Sequence, residues 1–101
     1  MKFTLEITEA AIEDLQYLDK SAQVMILDEI ERQLVSQPLQ ETRNRKPLRL
    51  GSQFQWELRL GKYRIFYDVL EETEGAYLMS VVSVGYKERN KVYIRGREIN
   101  L

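Results

Sequence analysis

FQWELRLGKYRIFYDV, residues 54–69, reads as two strands joined by the shortest loop a hairpin uses. Gly61-Lys62 is a two-residue turn signal between Phe54–Leu60 and Tyr63–Leu70. That loop sets the register. Leu60 meets Tyr63, Leu58 meets Ile65, Trp56 meets Tyr67 and Phe54 meets Val69, so this is the core face and Trp56 is a core residue. The opposite face pairs Arg59 with Arg64, Glu57 with Phe66 and Gln55 with Asp68. Two arginines directly opposed repel each other. Two readings follow. A phosphate offsets the repulsion, since the planar guanidinium fork matches its oxygens bidentately; or Glu57 and Asp68 offset it within the chain. On either reading Arg59 and Arg64 are expected side by side on the sheet face away from any helices.

The flanking sequence supplies the rest of the sheet and its cover. Tyr77–Val84 is nearly continuous in apolar and small side chains, as a central strand is. Near the N-terminus, Phe3, Leu5 and Ile7 alternate with Lys2, Thr4 and Glu6, which predicts a half-buried strand over Lys2–Ile7. Thr8 is placed to cap a helix, with Glu9 favourable in its first turn. Ala11, Ile12, Leu15 and Leu18 form that helix's apolar face. After a short Asp19-Lys20 link, Ser21 is expected to cap a second helix with the stripe Val24, Leu27, Ile30 and Leu34, ended by Gln37-Pro38. So short a link predicts an antiparallel helix pair on the sheet. The pattern lapses from Pro38 to Gln53, where Arg43, Arg45, Lys46 and Arg49 collect in a Pro-bounded stretch: a solvated loop, or a contact with nucleic acid or a partner. The tail ending in VYIRGREINL carries no pattern that assigns it. The order β-α-α-β-β-β predicts an α+β fold in one domain over residues 1–101: a mostly antiparallel four-stranded sheet with two helices packed on one face.

Composition narrows the chemistry. With 44% hydrophobic and 31% charged residues the chain is of ordinary globular make-up. No apolar run approaches the roughly 18 residues of a membrane span, and MKFTLEITEAA has no signal-peptide core, so a soluble cytoplasmic protein without membrane contact is expected. Cysteine and histidine are both absent. That removes disulfides, thiolate nucleophiles, Ser-His-Asp triads and paired-histidine ribonuclease chemistry. Any acid–base work falls to Lys, Arg, Tyr, Asp or Glu. The net charge of −1 hides an asymmetry: residues 1–37 carry three basic side chains against eight acidic, a balance of −5, and residues 38–101 twelve against eight, a balance of +4. The basic excess is a candidate footprint for a phosphate-bearing partner.

The stretch WELRLGKYRIFYDV, followed after a strand by VVSVGYKERNKVY, resembles the RelE/ParE toxin superfamily. The resemblance implies a toxin of a type II toxin–antitoxin system, with a cognate antitoxin as partner and neither metal nor small-molecule cofactor. Two branches share the fold. RelE-type toxins cut mRNA on the ribosome, promoting attack of a ribose 2′-OH on the adjacent phosphate, whereas ParE-type toxins bind DNA gyrase and are not hydrolases. On the RelE pattern Arg64 matches the arginine that stabilises the scissile phosphate. Lys87 stands where that branch commonly has an arginine, Tyr93 matches the tyrosine that positions the nucleotide, and Arg89 matches a further basic position. Gln55 and Glu57 replace two lysines of the ribosome-dependent members, which makes Glu57 the candidate general base. The expected catalytic set is therefore Arg64, Lys87, Tyr93 and Glu57, with Arg59, Arg89, Arg45 and Lys46 binding RNA phosphates. A translational repressor that cleaves mRNA is the leading expectation, with a gyrase-binding toxin, or a relative without activity, as the alternatives.

Overall fold

In the computed structural model, which describes residues 2–34 and 39–101 (position 2 by its backbone only), nine elements follow one another. They are β1 (Lys2–Ile7), α1 (Glu9–Leu15), α2 (Lys20–Leu34), β2 (Arg45–Pro47), β3 (Trp56–Leu60), β4 (Tyr63–Thr73), β5 (Ala76–Glu88), β6 (Lys91–Ile94) and β7 (Arg97–Ile99). The strands form a seven-stranded sheet in the order β2-β3-β4-β5-β6-β7, with β1 parallel to β5 along residues 76–81. The fold is α+β as expected, but the sheet has seven strands and not four. β2, β6 and β7 are three or four residues each. At that length alternation leaves no readable period, so the basic stretch and the tail gave no strand signal.

From Trp56 to Leu60 the hairpin register is the expected one: Trp56 faces Tyr67, Glu57 faces Phe66, Leu58 faces Ile65, Arg59 faces Arg64 and Leu60 faces Tyr63. Gly61, the first loop residue, has φ +59, a conformation that glycine adopts without steric cost. Phe54 departs from its expected pairing with Val69. It lies outside the ladder, and its ring stacks on Phe66, on the other face, at 4.7 Å. Gln55 holds this end by accepting from the Val69 N–H through Oε1, while its own N–H donates to Asp68 Oδ1.

A bulge in β5 extends the core. Phe66 pairs with Ser83 and Tyr67 with Val81, so Val82 is the extra residue and the alternation shifts. Met79, Val81 and Val84 therefore all reach the core with Leu58, Ile65 and Tyr67. Thr8 caps α1, accepting from the Ala11 N–H, and its own N–H and hydroxyl reach the carbonyls of Val81 and Val82 beside the bulge. The helices present different strips from those expected. On α2 the buried residues are Ala22, Ile26, Ile30 and Leu34, while Val24 is 55% exposed and Leu27 is exposed too. On α1 they are Ala11, Asp14 and Leu15; Ile12 is exposed, and Leu18 lies beyond the helix yet packs on the core. Two apolar strips run side by side on α2, and periodicity does not say which one meets the sheet. The cap of α2 is Asp19, accepting from the Ala22 N–H at 2.8 Å, and Ser21 donates to the same carboxylate. The expected stop at Gln37-Pro38 lies outside the described residues.

The sheet is curled enough that the segments beyond β2 and β7 touch. Arg49, just after β2, donates through Nη2 to the Leu101 carbonyl, just after β7, at 2.9 Å. The face away from the helices is thus the inside of a roll.

Candidate functional site

Cross-strand partners share a face, so the inside of the roll carries Lys46, Glu57, Arg59, Arg64 and Phe66, with Gly85 opposite Arg64 and Lys87 two residues further along. Glu57 answers the opposed arginines. Arg59 Nε donates to Glu57 Oε1 at 2.7 Å. The Arg64 guanidinium turns along its own hairpin, Nη1 donating to the carbonyls of Gly61 at 2.6 Å and Tyr63 at 2.9 Å. Burial holds it below the usual arginine value, the charge of Glu57 draws it back up, and Arg59 pushes it down again. Asp68, the other carboxylate expected to offset the pair, is taken up by the Gln55 N–H.

Burial on this face is uneven: Lys46 and Lys87 are exposed and the Arg59 side chain is 43% exposed, while the middle of the face is covered. Arg64 is 8% exposed, Glu57 5% and Phe66 0%. Gly85 shows how tightly one side closes: any Cβ there would collide with the Tyr93 carbonyl oxygen and Ile94 Cγ1. Glycine lets β6 cross against β5 at that point.

The remaining expected residues separate. Arg45 turns to the helix side, where its Nη1 donates to the Gln33 carbonyl in α2 at 2.8 Å, so a position expected on phosphate ties helix to sheet. Tyr93 pairs with Tyr86 and stacks on it at 5.5 Å, and Tyr86 pairs with Tyr63, on the side opposite Arg64. Lys46 and Lys87 are exposed. Arg89 is also exposed, at the tip of the β5–β6 turn, where Arg89 and Asn90 both take the left-handed conformation.

Two features escaped sequence reading. Arg95, in the β6–β7 turn, donates to Asp14 Oδ1 through Nε at 2.5 Å and to Glu13 and the Ala10 carbonyl through Nη2, fastening the C-terminal hairpin to α1. Asp14 also accepts from the Ser83 hydroxyl and the Val84 N–H. The signal that could have found it is a carboxylate standing within the buried strip Ala11-Leu15 of a helix. The second is a cleft of about 310 Å³ walled by Tyr17, Tyr63 and Tyr86, with Asp19, Lys62 and Glu88 at its rim. Among the described residues no group of three carboxylates stands together to hold a metal ion, and no helix is long and apolar enough to cross a membrane.

A family model described as the ParE toxin of the type II toxin–antitoxin system parDE matches residues 5–91. Solved structures with a similar fold include a chain of the RelBE2 toxin–antitoxin complex from Mycobacterium tuberculosis, 24% identical, with a TM-score of 0.70 over 86% of this chain and 100% of that one. The YoeB/ParE toxin from Agrobacterium tumefaciens is 18% identical, with a TM-score of 0.64 over 87% and 100%. A chain of the archaeal RelE–RelB complex from Pyrococcus horikoshii is 21% identical, with a TM-score of 0.56 over 88% and 99%. At these identities the likeness is one of fold. No curated protein matches the chain.

Proposed function

The chain belongs to the ParE toxin family of type II toxin–antitoxin systems, and on that premise we propose that it arrests growth by binding a protein target, DNA gyrase first among those to test, and not by cutting RNA. One observation carries the reading: the candidate base and the candidate phosphate-binding arginine are both largely buried, and each is already hydrogen-bonded within the chain. Glu57 is bound by Arg59, and Arg64 by two hairpin carbonyls. A general base must come within hydrogen-bond reach of the proton it takes, and Glu57, 5% exposed and already bonded to Arg59, offers little of that reach. Tyr93, which would have to align a nucleotide beside Arg64, lies on the opposite side of the sheet. A cognate antitoxin is the proposed natural partner, consistent with the toxin–antitoxin complexes formed by proteins of similar fold.

A second reading, cleavage of mRNA on the ribosome, is favoured by a separate observation. Lys46, Arg59, Arg64 and Lys87 share one face around Glu57, which is the charge arrangement a transferring phosphate needs once that face is opened. The two readings part in one experiment. Purified protein is added to a gyrase supercoiling assay and, separately, to ribosomes translating a defined message. Inhibited supercoiling with intact mRNA, and growth arrest that survives Glu57→Gln, is the expected result. Cleaved mRNA that Glu57→Gln and Arg64→Ala both abolish would replace it with the ribosomal reading.

A further inference from the structure

The sheet protects its edges unequally. β2 is three residues long and carries Pro47, β7 is also three residues, and the segments just beyond them are tied together by Arg49 and Leu101. β1 differs. It runs six residues without proline, pairs with β5 in unbroken register, and among the described residues no strand lies along its other side. A strand edge of that length is a template for another strand.

The phase of its free hydrogen-bonding groups follows from the parallel ladder. The Thr8 N–H donates to the Val81 carbonyl, so even-numbered residues aim their backbone groups at β5. Phe3, Leu5 and Ile7 then present theirs to the open side. Their side chains pack on the core yet remain only half-buried.

The bland account of Lys2 and Glu6 is that charges guard this edge. The sequence of β1 argues for a particular occupant instead. If a second β1 runs antiparallel to the first with Thr4 opposite Thr4, then Phe3 meets Leu5, and Lys2 meets Glu6 twice over. Apolar residues face apolar residues and charges face opposite charges. A one-residue slip sets every apolar side chain against a polar one. A two-residue slip in one direction puts Lys2 against Thr4, and in the other puts Thr4 against Glu6, so both lose the ion pairs. With the odd residues bonded across the seam, Thr4–Thr4 and Lys2–Glu6 become the non-bonded pairs, whose side chains lie closer. In the single chain the Glu6 carboxylate leans toward β5, where its Oε2 accepts from the Ser80 hydroxyl at 2.9 Å, so the pair with Lys2 of the second copy engages the other oxygen. Matching parity also keeps both pairs of helices on the same side of one continuous sheet.

We propose that two copies of this chain associate through β1, strand to strand and antiparallel about Thr4, in a self-complementary twofold interface. The inference is independent of the toxin's target. The test is sedimentation of the purified chain over a wide concentration series, with circular dichroism to check that each variant folds. Wild type dimerises as concentration rises. Glu6→Lys weakens the dimer about tenfold by setting lysine against lysine at both ends. The double change Lys2→Glu with Glu6→Lys restores wild-type affinity, and an equimolar mixture of the two single variants forms a heterodimer that neither matches alone. A chain that stays monomeric throughout, or a dimer indifferent to the single and double charge changes, overturns the proposal. An antitoxin segment seated on β1 in place of a second copy would show as a monomeric free chain and would overturn it equally.

Discussion

Asp14 accepts three hydrogen bonds from two parts of the chain: the Ser83 hydroxyl and the Val84 N–H on β5, and the Arg95 guanidinium in the β6–β7 turn. It fills the stretch of β5 between the end of its pairing with β1 at Val81 and the start of its pairing with β6 at Tyr86. Without it the Val84 N–H and the Ser83 hydroxyl would lose their buried acceptor, and Arg95 would keep only Glu13 and the Ala10 carbonyl. Leaving a buried donor without its acceptor commonly costs about 1–3 kcal/mol. Asp14→Ala is therefore expected to lower unfolding stability by an amount in that range, measured by urea denaturation, and Arg95→Met by less. Equal losses would mean that Arg95 is the only partner that matters. Arg95 itself sits in the left-handed region at φ +54, next to Gly96, in a turn that needs that backbone sign twice. Its side-chain bonds, and its place over the Tyr17 ring at 5.9 Å, offset the strain.

At the level of single elements, the hairpin and α2 make a useful contrast. Gly61-Lys62 names its turn, and the turn fixes the partner of every residue on β3. An α-helix has no comparable register mark, so Ser21 was as good a cap in sequence as Asp19. Geometry chose Asp19, whose carboxylate takes the Ala22 N–H. That bond first, and the Ser21 hydroxyl second, hold the Asp19 carboxyl below its ordinary value of 3.8. In the unfolded chain the group titrates near that ordinary value. Its contribution to stability is consequently complete above it and fades as pH falls through the lower folded value. Asp19→Asn keeps an acceptor at the cap and removes the titration. Thermal melts in acid should show wild type losing more stability than Asp19→Asn as the pH drops below about 4, while the two respond alike to changes between neutral and mildly acidic pH.

The curl of the sheet depends on segments far apart in sequence, and on its inner face Arg64 and Phe66 are buried. Its last turn depends on the C-terminal hairpin, held by Arg95 on α1 and by Leu101 on Arg49. Ending the chain after Ile94 removes both fastenings and β7. The expected outcome is stronger binding of a hydrophobic dye, from Phe54 and Phe66, and chemical modification of Arg64 by an arginine reagent that leaves it untouched in the full chain. Modification of Arg64 at the same slow rate in both forms would show that another segment covers it. The experiment also bears on function, because a truncated chain that gains RNA-cleaving activity would identify the hairpin as what keeps that face silent.

Short-range rules were enough for everything that turns on neighbours along the chain. The alternation of β1, the Thr8 cap, the Gly61-Lys62 turn and the pairing of Arg59 with Arg64 all follow from chain geometry within a few residues. The absence of histidine and cysteine, likewise a matter of composition, excluded whole mechanisms without any coordinates. Contacts between distant segments decided the rest. Arg45 and Arg64 are both arginines on strands, yet one ties down α2 and the other binds its own turn, because what lies above each side chain comes from elsewhere in the chain. Tyr93 has a nucleotide-positioning role only by likeness, and the register of β5 with β6 sets it on the face opposite Arg64. The closing of the roll needed a glycine at 85, a latch between residues 14 and 95 and a contact between residues 49 and 101. Local periodicity carries no trace of such pairings, since their free energy comes from burial and hydrogen bonding that exist only once the chain has folded back on itself.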